Sequence, residues 1–165
     1  MDTSFEQDRL VRSKQQTDGP HLVHRLRRLR RTPGLRALVQ ETRLTTDDLM
    51  LPLFVADGSE ESEPVESMPG VFRESVDITV KRARSATEVG IRAVILFGIP
   101  DSKDAIGSGS HDPEGSVQRA ATALKEELPD LVVVADTCMC EYTDHGHCGV
   151  IHNGAVDNDE PLDLL

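Results

Sequence analysis

Three short apolar runs constrain this chain more than anything else in it: Leu49-Met50-Leu51-Pro52-Leu53-Phe54-Val55, residues 91–97 and residues 131–135. They are too short for core helices and carry almost no polar side chain, whereas a strand with one wet face alternates apolar with polar. They therefore read as buried strands. Between the first two, Ser75 can cap a helix over residues 77–89, with Val80, Ala83 and Thr87 facing inward and Gly90 closing it in the left-handed region. Between the second and third, Pro113 restarts a helix in which Val117, Ala120, Ala121 and Leu124 recur at helical spacing, up to Leu128-Pro129. Strand, helix, strand, helix, strand with short turns calls for parallel strands covered by helices on at least one face. No Gly-x-Gly-x-x-Gly and no phosphate-binding loop follows any strand, so a nucleotide-binding sheet has no support. The other large parallel class is the eight-stranded α/β barrel, whose chemistry sits on loops at the C-terminal strand ends.

The chain ahead of the first strand is of another kind. Residues 1–24 are polar and read as a disordered lead-in. Residues 25–45 form a basic arm and helix, with five arginines in residues 25–31 and Thr32-Pro33 as N-cap and first helical residue. Leu35, Leu38 and Val39 give that helix a narrow apolar stripe, and Thr45/Thr46 with Asp47-Asp48 make a turn or one capped helical turn. Residues 57–67 are an acidic loop. Residues 46–165 would form the α/β domain.

The net charge of −11 is uneven: residues 1–45 hold 10 Lys/Arg against 5 Asp/Glu, and the remainder 8 against 24. An acidic body argues against nucleic acid as partner, because a phosphate backbone needs a basic face. The arginine arm has no aromatic for stacking bases and no apolar stripe for a membrane, so its plainer partner is an acidic protein surface. No run of about 18 apolar residues and no apolar leader is present, and the expectation is a soluble cytoplasmic protein. A lysine-poor acidic surface also suits high salt, where screening removes self-repulsion; an ordinary acidic protein is the alternative.

All three cysteines fall where the third strand ends, in Asp136-Thr137-Cys138-Met139-Cys140-Glu141-Tyr142-Thr143-Asp144-His145-Gly146-His147-Cys148-Gly149. Such clustering fits metal binding in a reducing compartment better than a disulfide framework. In extended backbone Cys138 and Cys140 would point to one face, and Cys148 could return from the loop to meet them. Three thiolates with no obvious fourth ligand are what zinc with an open position requires. Inert core cysteines, or a structural or redox pair without metal, are the alternatives.

This stretch resembles the zinc signature of the porphobilinogen synthase (δ-aminolevulinic acid dehydratase) family. Arg27-Arg28-Leu29-Arg30-Arg31-Thr32, Leu51-Pro52-Leu53-Phe54-Val55, Met68-Pro69-Gly70-Val71, Leu96-Phe97-Gly98-Ile99-Pro100-Asp101 and Gly154-Ala155-Val156-Asp157-Asn158-Asp159-Glu160 are similar to that family's segments in the same order. The resemblance runs from about residue 25 to the C-terminus. It implies a lyase of tetrapyrrole and heme biosynthesis that condenses two molecules of 5-aminolevulinate to porphobilinogen. It also implies a (β/α)8 TIM barrel behind an N-terminal arm that embraces a neighbouring subunit, usually within an octamer. Cys138, Cys140 and Cys148 match the zinc ligands, and Asp136 matches an aspartate near the reacting groups. His147 adjoins a ligand and leaves a second divalent metal open, its plainer reading being an exposed neighbour of the site; His145 receives no role. Asp144 stands where relatives commonly carry serine.

The family also depends on two lysines on later strands that form Schiff bases with the substrates. The four lysines here, Lys14, Lys81, Lys103 and Lys125, match neither. The chain therefore reads as the first three β/α units of an incomplete barrel: an N-terminal portion that holds the metal half of the site and is inactive by itself. A non-catalytic zinc-binding or regulatory module derived from the enzyme is the alternative.

Overall fold

A parallel ladder seven residue pairs long organises the structure. In the computed structural model, which describes residues 27–157 together with 159 and 162, strand β1 (Met50–Ala56) pairs in parallel with a later strand from Met50 opposite Ala93 to Ala56 opposite Ile99. The lead-in 1–24 and residues 25–26 of the basic arm lie outside the described residues. The chain divides into two units between Arg43 and Leu44.

In the first unit, helix α1 (Pro33–Leu38) begins as its sequence dictates. Thr32 is extended at the N-cap and its hydroxyl accepts the Leu35 N–H at 3.2 Å, with proline at the first helical position.

The second unit opens on a single 3-10 turn, Thr46–Asp48, closed by a reciprocal box in which the Asp48 carboxylate accepts the Thr45 N–H at 2.8 Å. Strand β1 follows. The acidic stretch after it is not all loop. It contains β2 (Ser62–Pro64), which runs antiparallel to β3 (Phe72–Glu74), and β3 lies parallel to β1 with Val55 opposite Glu74. These three-residue strands are polar or mixed, so no apolar run announced them. Pro64 sits on the outermost strand, where a missing N–H breaks no ladder.

Helix α2 (Val76–Glu88) buries Thr79, Ala83 and Ala86, and Gly90 beyond it has φ 95°. Ser75 occupies the N-cap position, but its hydroxyl does not cap. It accepts the Glu61 N–H at 3.0 Å and donates to Asp77 at 2.7 Å. Strand β4 (Ala93–Ile99) leads to a polar loop, and helix α3 (Ser116–Glu127) starts three residues later than Pro113, after a turn in which Gly115 N–H meets Asp112 O. Strand β5 (Val132–Ala135) pairs in parallel with β4, Leu96 opposite Ala135. The sheet order is β2-β3-β1-β4-β5, parallel except for β2, and it is open. A two-strand ribbon, β6 (Ile151–His152) and β7 (Ala155–Val156), ends the described chain.

Both helices of this unit cover one face. Leu53, Val55, Val94 and Leu96 pack there with Ala83, Val117, Ala120, Leu124 and Leu131. Burying a side chain such as Leu96 or Leu124 contributes about 1.5–3 kcal/mol each. The other face carries Phe54 and Phe97, half-buried, their rings stacked at 5.3 Å. Among the described residues no helix is long and apolar enough to cross a membrane.

Candidate metal centre

The end of β5 delivers the cysteines. Asp136 N–H still bonds Leu96 O at 3.0 Å, so the ladder runs one residue past the strand before the chain turns away. Cys138 is extended, but the backbone does not stay so as far as Cys140. Met139–Glu141 form a 3-10 turn with Cys138 at its N-cap, held by Tyr142 N–H to Met139 O at 2.9 Å. The turn sends Met139 and Tyr142 into the interior and leaves the cysteine side chains at the rim.

The following residues bring Cys148 back. Buried Thr143 donates its hydroxyl to His147 O at 2.8 Å, and Gly146, with φ 71°, accepts a backbone conformation that side chains resist. The Cys138 sulfur then lies 2.9 Å from that of Cys140 and 2.9 Å from that of Cys148, and all three are within 4.8 Å of one another. Metal–sulfur bonds of about 2.3 Å can bridge such a set. Among the described residues this is the cluster of His, Cys, Asp or Glu side chains able to hold an ion. Hydrogen bonds to Cys140 and Cys148 push the Cys138 thiol up to about 12, while those from Cys138 and Cys140 lower Cys148. Cys148 is thus more readily ionised than Cys138, and it is the exposed member of the three.

The loop leaving β4 forms the other wall. Asp104 N–H meets Tyr142 O at 3.3 Å and Asp144 N–H meets Asp104 O at 3.0 Å, a short parallel bridge between the two loops. The Asp104 carboxylate turns back to accept the N–H groups of Ile106 and Ser108, both at 3.0 Å. His145 Nε2 lies 3.1 Å from Ala105 O, so this histidine ties the loops together. His147 is exposed, with Nδ1 2.9 Å from His145 O, and does not join the cysteine cluster.

Asp136 lies half-buried beside Glu141. Burial pushes the Glu141 carboxyl up to about 7; the Gly98 N–H opposes the shift and the Asp136 charge adds to it. Burial likewise raises Tyr142 to about 12. Glu141, Tyr142 and Gly98 escaped sequence reasoning: the cysteines drew attention to their own spacing, and no local pattern links residue 141 with residue 98. Of the lysines, Lys81 pairs with Asp77 at 3.7 Å and Lys125 donates to Pro129 O and Leu131 O, both on the helix layer. Lys103 is exposed on the loop after β4.

Comparison with known proteins identifies the family. A family model described as delta-aminolevulinic acid dehydratase matches residues 23–165. The chain is 48% identical over 141 residues to the delta-aminolevulinic acid dehydratase of Methanothermus sociabilis, covering 86% of this chain and 44% of that one. It is 47% identical over 142 residues to that of Bacillus subtilis (strain 168), with the same shares covered. The crystal structure of delta-aminolevulinic acid dehydratase from Toxoplasma gondii ME49, solved with the reaction product porphobilinogen, superposes with a TM-score of 0.77 at 38% identity, covering 82% of this chain and 40% of that one. The chain thus spans less than half the length of these relatives. With the family match running over nearly all of its residues and the relatives close to half identical, the chain belongs to the delta-aminolevulinic acid dehydratase family.

Proposed function

We propose that this chain carries the zinc-binding part of a porphobilinogen synthase, the enzyme that joins two molecules of 5-aminolevulinate with loss of two waters. The observation that supports this most is the convergence of Cys138, Cys140 and Cys148 at the C-terminal end of a parallel sheet. The sheet is read as part of a (β/α)8 barrel, comprising its first three helix-flanked strands β1, β4 and β5. Apolar side chains on both sheet faces, with helices covering only one, support that reading: in a closed barrel Phe54 and Phe97 face an interior packed by further strands. Residues 25–45 form the arm ahead of the barrel, which in a homo-octamer reaches a neighbouring subunit.

Zinc held by the three thiolates would act as Lewis acid and template for the second substrate molecule. The residues of this chain prepare that step. Cys148 offers the entry ligand because it is exposed and hydrogen bonds from Cys138 and Cys140 favour its thiolate. Asp136, on the first residue past β5, orients the amino group of substrate and takes or returns its proton. Glu141 beside it is raised to about 7 by burial, so it can hold a proton near neutral pH. His147 stays at the rim as an exposed neighbour of Cys148.

Schiff-base chemistry needs lysines with lowered pKa facing the same centre. Lys81 and Lys125 point into ion pairs and helix caps elsewhere. The 165-residue chain alone is therefore expected to bind one equivalent of zinc yet form no porphobilinogen in a colorimetric pyrrole assay. Porphobilinogen made by the chain alone would overturn the assignment of only the metal half of the site to it. Absence of zinc from a folded preparation incubated with the ion would overturn the metal centre.

A further inference from the structure

The turn that carries Cys138 and Cys140 has little to hold it by itself. It is a single 3-10 turn, its N-cap makes no side-chain hydrogen bond, and such turns are weak in isolation. What fastens it comes from a strand more than forty residues earlier. In β4, Leu96 O accepts the last ladder bond from Asp136 N–H, after which β5 has turned away. Gly98 lies two residues on, so its N–H points along the same edge with no strand left to receive it. Glu141 Oε2 fills that position, accepting the Gly98 N–H at 2.8 Å. The bond is partly buried, and a backbone donor left without a partner there costs about 1–3 kcal/mol.

The next residue engages the same glycine from another side. A Cβ on Gly98 would overlap the hydroxyl and ring of Tyr142 and press on Val117. The bare Cα of Gly98 is therefore the seat of the Tyr142 ring, which is 7% exposed. Residues 141 and 142, immediately after Cys140, thus grip one residue through its N–H and its missing side chain.

We propose that Gly98 and Glu141 form a latch that sets the spacing of Cys138 and Cys140, making both positioning residues for the metal centre. The inference rests on the metal reading of the three cysteines. On this view the ending of β4, as well as the cysteine loop, decides how tightly the sulfurs hold an ion. A hydrogen-bond acceptor at position 141 and the absence of a side chain at position 98 are the two requirements.

The test compares the parent chain with Glu141→Met, which keeps side-chain length without an acceptor, Glu141→Gln, which keeps an acceptor oxygen, and Gly98→Ala. Zinc affinity is measured by competition with a chromophoric chelator. In metal-free protein two further readouts apply: hydrogen exchange at the Gly98, Val94 and Leu96 amides, and capture of the thiols by phenylarsine oxide, which bridges thiols only when they are held close. E141M and G98A are expected to lose about tenfold or more in zinc affinity, as loss of an outer supporting contact typically does. Both should slow arsenical capture, and E141M should speed exchange at Gly98 while Val94 and Leu96 stay protected. E141Q should stay near the parent in all three. E141M matching the parent in zinc affinity and arsenical capture would overturn the latch. So would E141Q falling as far as E141M, which would assign the effect to charge. Loss of protection throughout β4 in E141M would make Glu141 a residue of the fold and likewise overturn its positioning role. Should the parent bind no zinc, the metal reading fails, and arsenical capture and exchange still decide the latch.

Discussion

Cys138 and Cys148 bring their sulfurs to 2.9 Å although they stand ten positions apart. The return is made by the Thr143 hydroxyl on His147 O and by the left-handed turn at Gly146. Between these anchors the loop is exposed at Asp144, Gly146, His147 and Cys148 itself. The third sulfur is thus brought back by a polar loop.

Replacing Cys148 by serine should leave the fold intact, because the residue is exposed and packs against no core side chain. It should lower zinc affinity by more than the about 10–100-fold that supporting contacts around a metal contribute. Chelator competition on the folded variant, with circular dichroism as control, measures this. Parent-like affinity in C148S would exclude Cys148 from the ligand set.

Glu74 closes β3 with its carboxylate 2% exposed, and Arg82 of α2 covers it with Nε at 2.6 Å and a second guanidinium N–H. The Arg82 guanidinium also lies 5.1 Å over the Phe72 ring. Removing the cation strands a buried charge, which costs about 3–5 kcal/mol where both partners are buried. Arg82 is 41% exposed, so water offsets part of that. Arg82→Met should destabilise by on the order of 2 kcal/mol, and Arg82→Met combined with Glu74→Leu by less. Urea unfolding midpoints of the two variants decide it; equal losses would mean the pair is not coupled.

Asp77 is held below its ordinary 3.8 by the Ser75 hydroxyl and by the Glu60 N–H at 3.1 Å. The unfolded chain then takes up this proton at a higher pH than the folded one. The stabilising contribution is accordingly complete above about pH 4, near the unfolded value, and is lost as pH falls through the lower folded value. Asp77→Asn should narrow the difference between the urea midpoints at pH 7 and pH 3. An unchanged difference would show that this carboxylate contributes nothing to the acid limb.

Much of the α/β layer was legible from local pattern. The runs around residues 49–55, 91–97 and 131–135 became β1, β4 and β5, shifted by one or two residues, because an uninterrupted apolar segment has few other places to go. Thr32-Pro33 and the Thr45/Asp48 box capped their turns because capping needs only neighbours in sequence. Where a short segment depends on a partner, pattern failed. Residues 62–64 and 72–74 carry no apolar alternation, and they are strands because β1 offers β3 an open edge and β3 in turn supports β2. Ser75 was identified as a cap by type, yet the Glu61 and Asp77 groups brought to it by the fold claim its hydroxyl.

The same division runs through the candidate metal centre. By itself the sequence singled out the candidate ligands, since three cysteines fall within eleven residues at the end of a buried strand, and it pointed to the family through motifs along the whole match. It did not determine how the sulfurs meet. An extended Cys138-Met139-Cys140 and the observed 3-10 turn are both open to that tripeptide locally. The choice falls to contacts across the sheet: Glu141 on the unpaired Gly98 N–H, Tyr142 on the bare Gly98 Cα, and Asp104 against Thr143. Those contacts join residues some forty positions apart, and only the closed ladder between β4 and β5 brings them within reach of one another.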